Sequence, residues 1–579
     1  YYAFTIINFF KNHLTGITKT VFASDISNAP NVSCGILSIG LYLLFFLNKK
    51  INIKRKIIYT LILIFLLTSF YVAPLDYVWH AFHVPNDLPY RYSFIYSFIL
   101  ILICAYSLKN IKEISFTKVL ITYVICLIFI TFVYLTKYNN ITSNMITINY
   151  LLISTYFLIY TLYHFYPKFK NLSTILFITV CSIECVNHNW DILQYIDEFY
   201  STYNNVHESI NEIKEKDNEL FYRTEKNTIL TLNDGAWYNY YGQSTFTSMA
   251  YNNLAELNND LGQPGNRINS YYYKQNTPVY DLMFDIKYTI GKNNDVKRYS
   301  LALNKNNTLT YKFNYTTGLM FGVNKSIKKW TNNFINPIEY QNDFINYGTN
   351  IENVFHRLTL NNKEIISQNK KETLVKYNYI NEFDNIYLYS NNSQINYIII
   401  NDKIYYKNNI NINDIQIKLN KTFKECNIYD EEYVINTISN DSNIQVYVSY
   451  KSYLNEEIDI YTIDNNKFIE AYNILNSNKI NITDFKENNI KGNITLQNDT
   501  SIYTSIPYDK GWKVYSNNRE IKTYKINDSL LGFDLKKGEN NIELKYIPNN
   551  LDIGISISIT TLIITIAYLI INKKQQIKA

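Results

Sequence analysis

No Gly-rich phosphate loop followed by Lys-Ser/Thr, no Ser/His/Asp order and no Cys-x-x-Cys pair occurs in this chain of 579 residues. No loop on its basic side is long enough for a nucleotide-binding domain, so ATP-driven chemistry within the chain is not expected. Cysteine is scarce: of the six, Cys34, Cys104, Cys126, Cys181 and Cys185 lie in or beside apolar segments. Cys426 stands alone in the long polar stretch, which therefore has no internal disulfide. Cys181 and Cys185 are four apart, without His or carboxylate partners in a metal-ligand pattern. They read as small apolar packing residues, and neither metal nor cofactor is expected. The net charge of +6 comes without a dense basic stripe, so nucleic acid is not an expected partner. Initiator Met and signal peptide are also missing, which leads to the expectation of further sequence, with more spans, before Tyr1.

What the chain does have is apolar runs. They cover Val32–Leu47, Ile57–Val72, Phe94–Leu108, Val119–Leu135, Ile146–Tyr163, Leu172–Val186 and Ile553–Ile571. Each approaches the length a helix needs to cross a hydrocarbon layer. The mean hydropathy of −0.17 conceals this by averaging them with a polar stretch, Asn187–Asn550. Every second loop is basic: Lys49, Lys50, Lys54, Arg55 and Lys56; then Lys109, Lys112 and Lys118; then Lys168 and Lys170; then Lys573, Lys574 and Lys578. The positive-inside bias puts these in the cytoplasm and the polar stretch outside.

The expected fold is a polytopic α-helical membrane protein, with a large extracytoplasmic α+β or β-sandwich domain before the last transmembrane helix. Its parts are an outer loop segment (1–31), six transmembrane helices (32–186), a mixed α/β region (187–332), a β-rich sandwich or jelly-roll region (333–550), and a final span with a basic tail (551–579). Glu208–Lys216 has the apolar spacing of a short amphipathic helix, at Ile210 and Ile213. Ile444, Val446, Val448 and Tyr450 alternate with polar residues as in a half-buried strand. Ile458–Ile463 and Ile494–Leu496 behave alike. Phe533–Leu535 and Ile542–Tyr546 flank a Gly-containing loop and read as a hairpin.

The densest chemical patch is Ala73–Ser93, with Asp76, His80, His83, Asp87 and Arg91 among Tyr77, Trp79 and Tyr90. A guanidinium fork suits a phosphate, and a carboxylate or imidazole takes a proton from a hydroxyl. The competing reading is an interfacial belt, in which Trp and Tyr anchor and Arg meets headgroups. His80-x-x-His83 lacks a defined third metal ligand. Glu184 ends the sixth run, with Asn187, His188 and Asp191 behind it; an ionisable group at membrane depth is a functional candidate by default. Asp25 reads better as a turn residue. In the polar stretch, Trp237, Tyr238, Tyr240 and Tyr241, then Tyr271–Tyr273, form aromatic clusters.

Pro30–Gly35, Trp79–Asn86 with Pro89–Phe94, Phe221-Tyr222-Arg223, Asn233–Gly242 with Ser244, Phe246 and Ser248, Asp285–Tyr288, Pro507–Trp512, Gly538 and Tyr546–Pro548 occur in order along nearly the whole chain. Together they resemble the YfhO family of bacterial membrane proteins. The resemblance implies a GT-C type glycosyltransferase that takes sugar from a polyprenyl-phosphate carrier on the outer face. The implied acceptor is a cell-surface polymer such as lipoteichoic acid. Membrane lipids and the enzyme that loads the carrier are further expected partners. Enzymes of this type place a catalytic carboxylate in their first outer loop, which would fall before Tyr1. Among the residues present, Asp76 and His80 are expected in catalysis. Arg91 is expected on the phosphate, and Tyr90, Trp79, Glu184, Trp237 and Tyr241 are expected on substrate. A membrane-anchored glycan-binding scaffold without catalysis is the alternative.

Overall fold

The protein is represented by a computed structural model that describes residues 6–17, 29–83, 90–136, 141–194, 203–274, 277–293, 295–331, 336–381, 385–389, 394–406, 410–428, 434–438, 443–451 and 458–578. The chain divides into two compact units, Tyr1–Glu198 and Phe199–Ala579.

The first unit is helical: α1 (Ile6–Lys11), α2 (Ile36–Leu47), α3 (Ile53–Tyr71), α4 (Ala73–Trp79), α5 (Ser93–Lys109), α6 (Phe116–Leu135), α7 (Ser143–Phe165) and α8 (Lys170–Gln194). Every expected apolar run is a helix. Phe116–Leu135, Ser143–Phe165, Pro167–His188 and, in the second unit, Leu551–Lys573 are long and apolar enough to cross a membrane. α3 and α4 add a fifth if taken together, although the chain bends by 102° between them. α2 and α5 are apolar but shorter.

The outward faces are apolar, as at Leu61, Ile64, Leu151 and Leu158, whereas the inward faces carry small residues. A Cβ at Gly40 would lie 3.7 Å from Cys126 Sγ, and Ser107 Oγ donates to the Leu41 carbonyl at 2.7 Å. Small residues let helix backbones approach where the surroundings supply no hydrophobic drive. Two of the basic loops, 48–56 and 109–118, meet at the C-terminal end of α2, where Asn48 Nδ2 donates to the Asn110 carbonyl. There Lys118 Nζ and Lys56 Nζ donate to the Leu47 and Phe46 carbonyls at the C-terminus of α2, each at 2.7 Å, where the helix dipole favours cations. Within the outer loop segment expected at 1–31, Ile6–Lys11 is helical, and Lys11, Asn12, His13 and Thr15 are buried within the unit. Hydropathy alone does not mark such a segment as interior, because its side chains are polar.

The second unit is sheet-rich. Its amphipathic helix runs Tyr203–Lys216 and buries Val206, Ile210 and Ile213. Strands Arg223–Lys226, Ile286–Ile290, Thr308–Phe313 and Tyr299–Lys305 form its first sheet in that order, the first pair parallel. A six-stranded sheet containing Asn443–Lys451 packs on a four-stranded one containing Asp459–Ile463. Ile444, Val446, Val448 and Tyr450 all point into that core, as their alternation predicts. A second sandwich sets the sheet of Leu530–Leu535 against that of Gly538–Tyr546.

Two expectations are corrected here. Leu530–Leu535 and Gly538–Tyr546 are not a hairpin, because each is hydrogen-bonded into a different sheet. Gly538, at φ 107, turns the chain from one layer to the other, and Phe533 and Leu544 meet in the shared core. Nor does residue 332 separate two regions. Met320–Val323 pairs with Thr500–Pro507, and one apolar cluster takes Tyr280, Phe284, Phe344, Phe468 and Tyr503.

Buried charges hold this unit in register. Arg223 donates to the Phe284 carbonyl (2.6 Å) and to Ser505 Oγ (2.8 Å). Arg298 pairs with Asp295 at 2.7 Å, both almost fully buried. Asp285 caps Pro278–Phe284 at φ 53 and accepts from the Gly318 N–H at 3.0 Å. Burial pushes its carboxyl up to about 7, against the pull of Lys479 and Arg223. The folded state therefore holds a proton that the unfolded chain releases near its ordinary value of 3.8. Stability conferred by that proton is complete below this value and is lost as pH rises through 7. Asp285→Asn should remove on the order of 4 kcal/mol of pH dependence at most from unfolding of this unit. Thermal scans of the detergent-solubilised protein from pH 5 to 8 should show the variant gaining on wild type as pH rises; parallel curves would refute this.

Candidate functional site

An acid inside the helical unit organises its polar interior. Glu184 sits on α8 and is buried. Its Oε1 accepts the Ile36 N–H at the start of α2 (2.7 Å) and the Thr15 hydroxyl (2.5 Å), and its Oε2 accepts the Tyr156 hydroxyl (2.7 Å). A helix begins with unpaired N–H groups and a positive dipole end, so a carboxylate there satisfies both. Gly35 makes the approach possible. Its φ is +80, and a Cβ on it would stand 2.6 Å from Glu184 Oε1.

Segment 12–17 completes the cluster. The Thr15 N–H donates to Asn149 Oδ1, and Asn149 Nδ2 donates back to the Thr15 carbonyl. The Gly16 N–H donates to His188 Nδ1 at 3.2 Å. His13 Nδ1 donates to the Phe9 carbonyl, and its Nε2 accepts from the Tyr96 hydroxyl at 3.2 Å.

Beside this cluster lies a cavity of about 520 Å³. Its polar wall includes Asn12, Ser33, Glu184 and His188, and its apolar wall includes Leu41, Ile101 and Phe177. Leu37, Leu41, Leu108 and Phe177 also line a neighbouring, almost wholly apolar cavity of about 340 Å³. Sharing these walls, the two make an amphipathic slot among α2, α5, α6, α7 and α8.

The Ala73–Ser93 patch lies elsewhere in the unit. Asp76 and His80 are one turn apart on α4 and at its C-terminus, their side chains about 5% and 8% exposed. His80 Nδ1 donates to the Asp76 carbonyl at 2.8 Å, with Asp76 Oδ1 at 3.5 Å. That tautomer leaves the lone pair on Nε2, which is buried and has no partner among the described residues. Trp79 stacks on Tyr92 (4.9 Å, 13°), and Tyr90 packs edge-on to Phe70. Arg91 is exposed. None of Asp76, His80, Tyr90 or Arg91 lines the slot, so of the expected residues in the first unit only Glu184 does. Asp25 and Asp87, and the side chain of Asp191, lie outside the described residues.

In the second unit Trp237 is 41% and Tyr241 45% exposed. Tyr241 lines a small cleft of about 140 Å³ with Lys214, Asp217 and Tyr222, and Trp237 does not. No group of three or more His, Cys, Asp or Glu suited to a metal occurs among the described residues. Asn12, Thr15, Asn149 and Tyr156 are not among the candidates that the sequence marks. Asn149, a lone amide within an apolar run, carried a legible signal; Asn12 and Thr15 carried none, since their segment is polar throughout.

The fold and this slot define a membrane protein with four or five membrane-crossing helices by length and composition, joined to a sheet-rich unit. The chain belongs to the YfhO family: residues 2–558 match "Bacterial membrane protein YfhO". An 85-residue stretch is 33% identical to "Uncharacterized protein YfhO" of Bacillus subtilis (strain 168), covering 15% of this chain and 10% of that protein. No solved structure matches the chain significantly.

Gly35→Ala combines a disfavoured backbone angle with a clash on Glu184 and should destabilise the helical unit by about 1–3 kcal/mol. A lowered thermal midpoint of the detergent-solubilised protein would show it; an unchanged midpoint would refute the close packing of Gly35 on the carboxylate.

Proposed function

We propose that this protein is a GT-C type membrane glycosyltransferase. It moves a sugar from a polyprenyl-phosphate carrier to a cell-surface polymer such as lipoteichoic acid on the outer face of the bacterial membrane. The observation that carries this reading is the amphipathic slot in the helical unit, polar around Glu184 and apolar beyond it. Such a shape suits a lipid-borne substrate that stays in the bilayer by its tail.

In this reading the acceptor hydroxyl oxygen attacks the anomeric carbon of the sugar, and the carbon–oxygen bond to the carrier phosphate breaks. The hydroxyl proton goes to a base, for which His80 Nε2 is equipped by its fixed tautomer and the adjacent Asp76. Arg91 neutralises the phosphate that departs with the bonding electrons. The sheet-rich unit holds the polymer. The exposure of Trp237 and Tyr241 favours such contact and is equally what a non-catalytic glycan-binding scaffold would present.

The test is sugar transfer by the purified protein from polyprenyl-phosphate sugar, alongside glycan analysis of the envelope with and without the gene. His80→Ala should slow transfer by about 10²–10⁴-fold. Arg91→Ala should abolish detectable decoration while membrane insertion continues. Normal decoration in the Arg91→Ala strain would remove that residue from the mechanism, and no transfer by wild type under any donor would leave the scaffold.

The outward placement of the second unit is tested separately. Cys426 is exposed and free. A membrane-impermeant maleimide added to intact cells should label it, and Cys426→Ser should remove that label. Labelling only after lysis would place the unit in the cytosol and end the proposal.

A further inference from the structure

The most exposed large apolar side chain among the described residues is Met249, at 86%. It lies in a loop of the second unit with Phe246 and Tyr251, which are exposed as well. That loop is held at both ends. Asn233 Oδ1 accepts the Phe246 N–H and Asn233 Nδ2 donates to the Phe246 carbonyl, each at 2.9 Å. The Met249 N–H donates to Thr247 Oγ1 (3.2 Å) and the Ala250 N–H to the Thr247 carbonyl (3.0 Å). Asn253 Nδ2 donates to the Asp528 carbonyl at 3.0 Å. Ile268, also exposed, joins through the Asn269 carbonyl, which accepts the Thr247 N–H. Single apolar side chains in water are ordinary, but several displayed together on a fixed loop mark a contact surface.

The connections of the loop say with what. The Tyr251 hydroxyl donates to Asp509 Oδ2 (3.0 Å), and Asp509 Oδ1 accepts the Gly511 N–H (2.7 Å). The Gly511 carbonyl accepts the Ile547 N–H at 3.1 Å, and Trp512 packs on Tyr546 at 5.1 Å. Ile547 is exposed and stands four residues before Leu551, where the membrane-crossing helix Leu551–Lys573 begins. The Leu551 N–H donates to the Pro548 carbonyl, so the link between them is a turn and not an extended tether. A helix of 23 residues is about 34 Å long, against about 30 Å of hydrocarbon, which puts Leu551 at the edge of that layer. Ile547 and the loop bonded to its neighbours therefore stand at headgroup level, the depth at which Tyr and Trp are enriched. Phe246, Ile268 and Ile547 bring no side-chain hydrogen-bonding group, which a glycan needs and a bilayer does not.

We propose that Phe246, Met249, Tyr251 and Ile547 form a second membrane contact of the sheet-rich unit, seated in the headgroup and upper acyl layer beside the final helix. This contact fixes the tilt of the unit on the bilayer. It holds on whichever side of the membrane the unit lies, and with or without sugar transfer.

The test uses the full wild-type chain in nanodiscs of phosphatidylcholine, a fraction of which carries a diazirine near the top of its acyl chain. After illumination, lipid adducts are mapped by peptide mass spectrometry. They should appear on residues 246–251 as well as on Leu551–Lys573, and not on Ile412–Leu419, whose Ile417 is 80% exposed. Met249 is exposed, so Met249→Asp leaves the fold intact, which an unchanged thermal midpoint checks. It should lower the adducts on 246–251 about tenfold relative to those on the helix, the effect of replacing one inserted apolar side chain by a charge. Adducts on the helix without adducts on 246–251 overturn the proposal, and so does a wild-type yield on 246–251 in Met249→Asp. Shielding of 246–251 from a water-soluble carbene reagent without lipid adducts assigns the surface to a polymer or a protein and overturns it equally.

Discussion

A carboxylate deep in an apolar bundle is the constraint on which the helical unit depends. Left alone it would carry a large desolvation cost. Glu184 avoids this through three donors from three separate parts of the chain: the N-terminus of α2, the segment around Thr15, and Tyr156 on α7. The same contacts decide where α2 starts, why Gly35 precedes it, and why a polar segment can be buried among helices. They also decide the slot, because α2 begins at the level of Glu184 and so leaves room for a polar end above an apolar one.

The second unit solves a similar problem with other groups. Its sheets bury Arg223, Arg298, Lys287 and several acids, each held by a carboxylate, a carbonyl or a hydroxyl. Lys287 meets Asp217 at 2.5 Å, and Asp234 caps its turn by accepting from the Leu230 and Thr231 N–H groups. Glu225 accepts from the Ser244 N–H and hydroxyl. Stretches that carried the family resemblance, Phe221–Arg223, Asn233–Gly242 and Asp285–Tyr288, thus hold the unit together. Removing one partner of such a pair would strand a buried charge, which costs far more than the pair itself contributes.

Polar residues therefore play distinct parts in the two patches the sequence singled out. Around Glu184 they satisfy one another, and Asn12 Oδ1 is a buried acceptor left without a partner among the described residues. Around Asp76 the imidazole Nε2 is the group left over. An aromatic layer of Phe9, His13, Tyr96 and Phe70 runs between them, with Phe9 5.4 Å from Tyr96 and Phe70 5.2 Å from Tyr92. Trp79 and Tyr90 belong to the packing of that layer and its neighbours.

The sequence by itself determined the six apolar helices of the first unit, the alternating strand at Ile444–Tyr450 and the amphipathic helix at Glu208–Lys216, because hydropathy and period are local properties of a chain. It also marked Glu184, since an acid in a run of Ile, Leu and Phe is conspicuous without any structure. Only the tertiary structure decided which strands share a sheet at Gly538, how Met320–Val323 reaches Thr500–Pro507, and that Asn12 and Thr15 are interior. Those outcomes depend on partners many residues away, and a polar side chain looks alike in sequence whether water or another chain segment satisfies it.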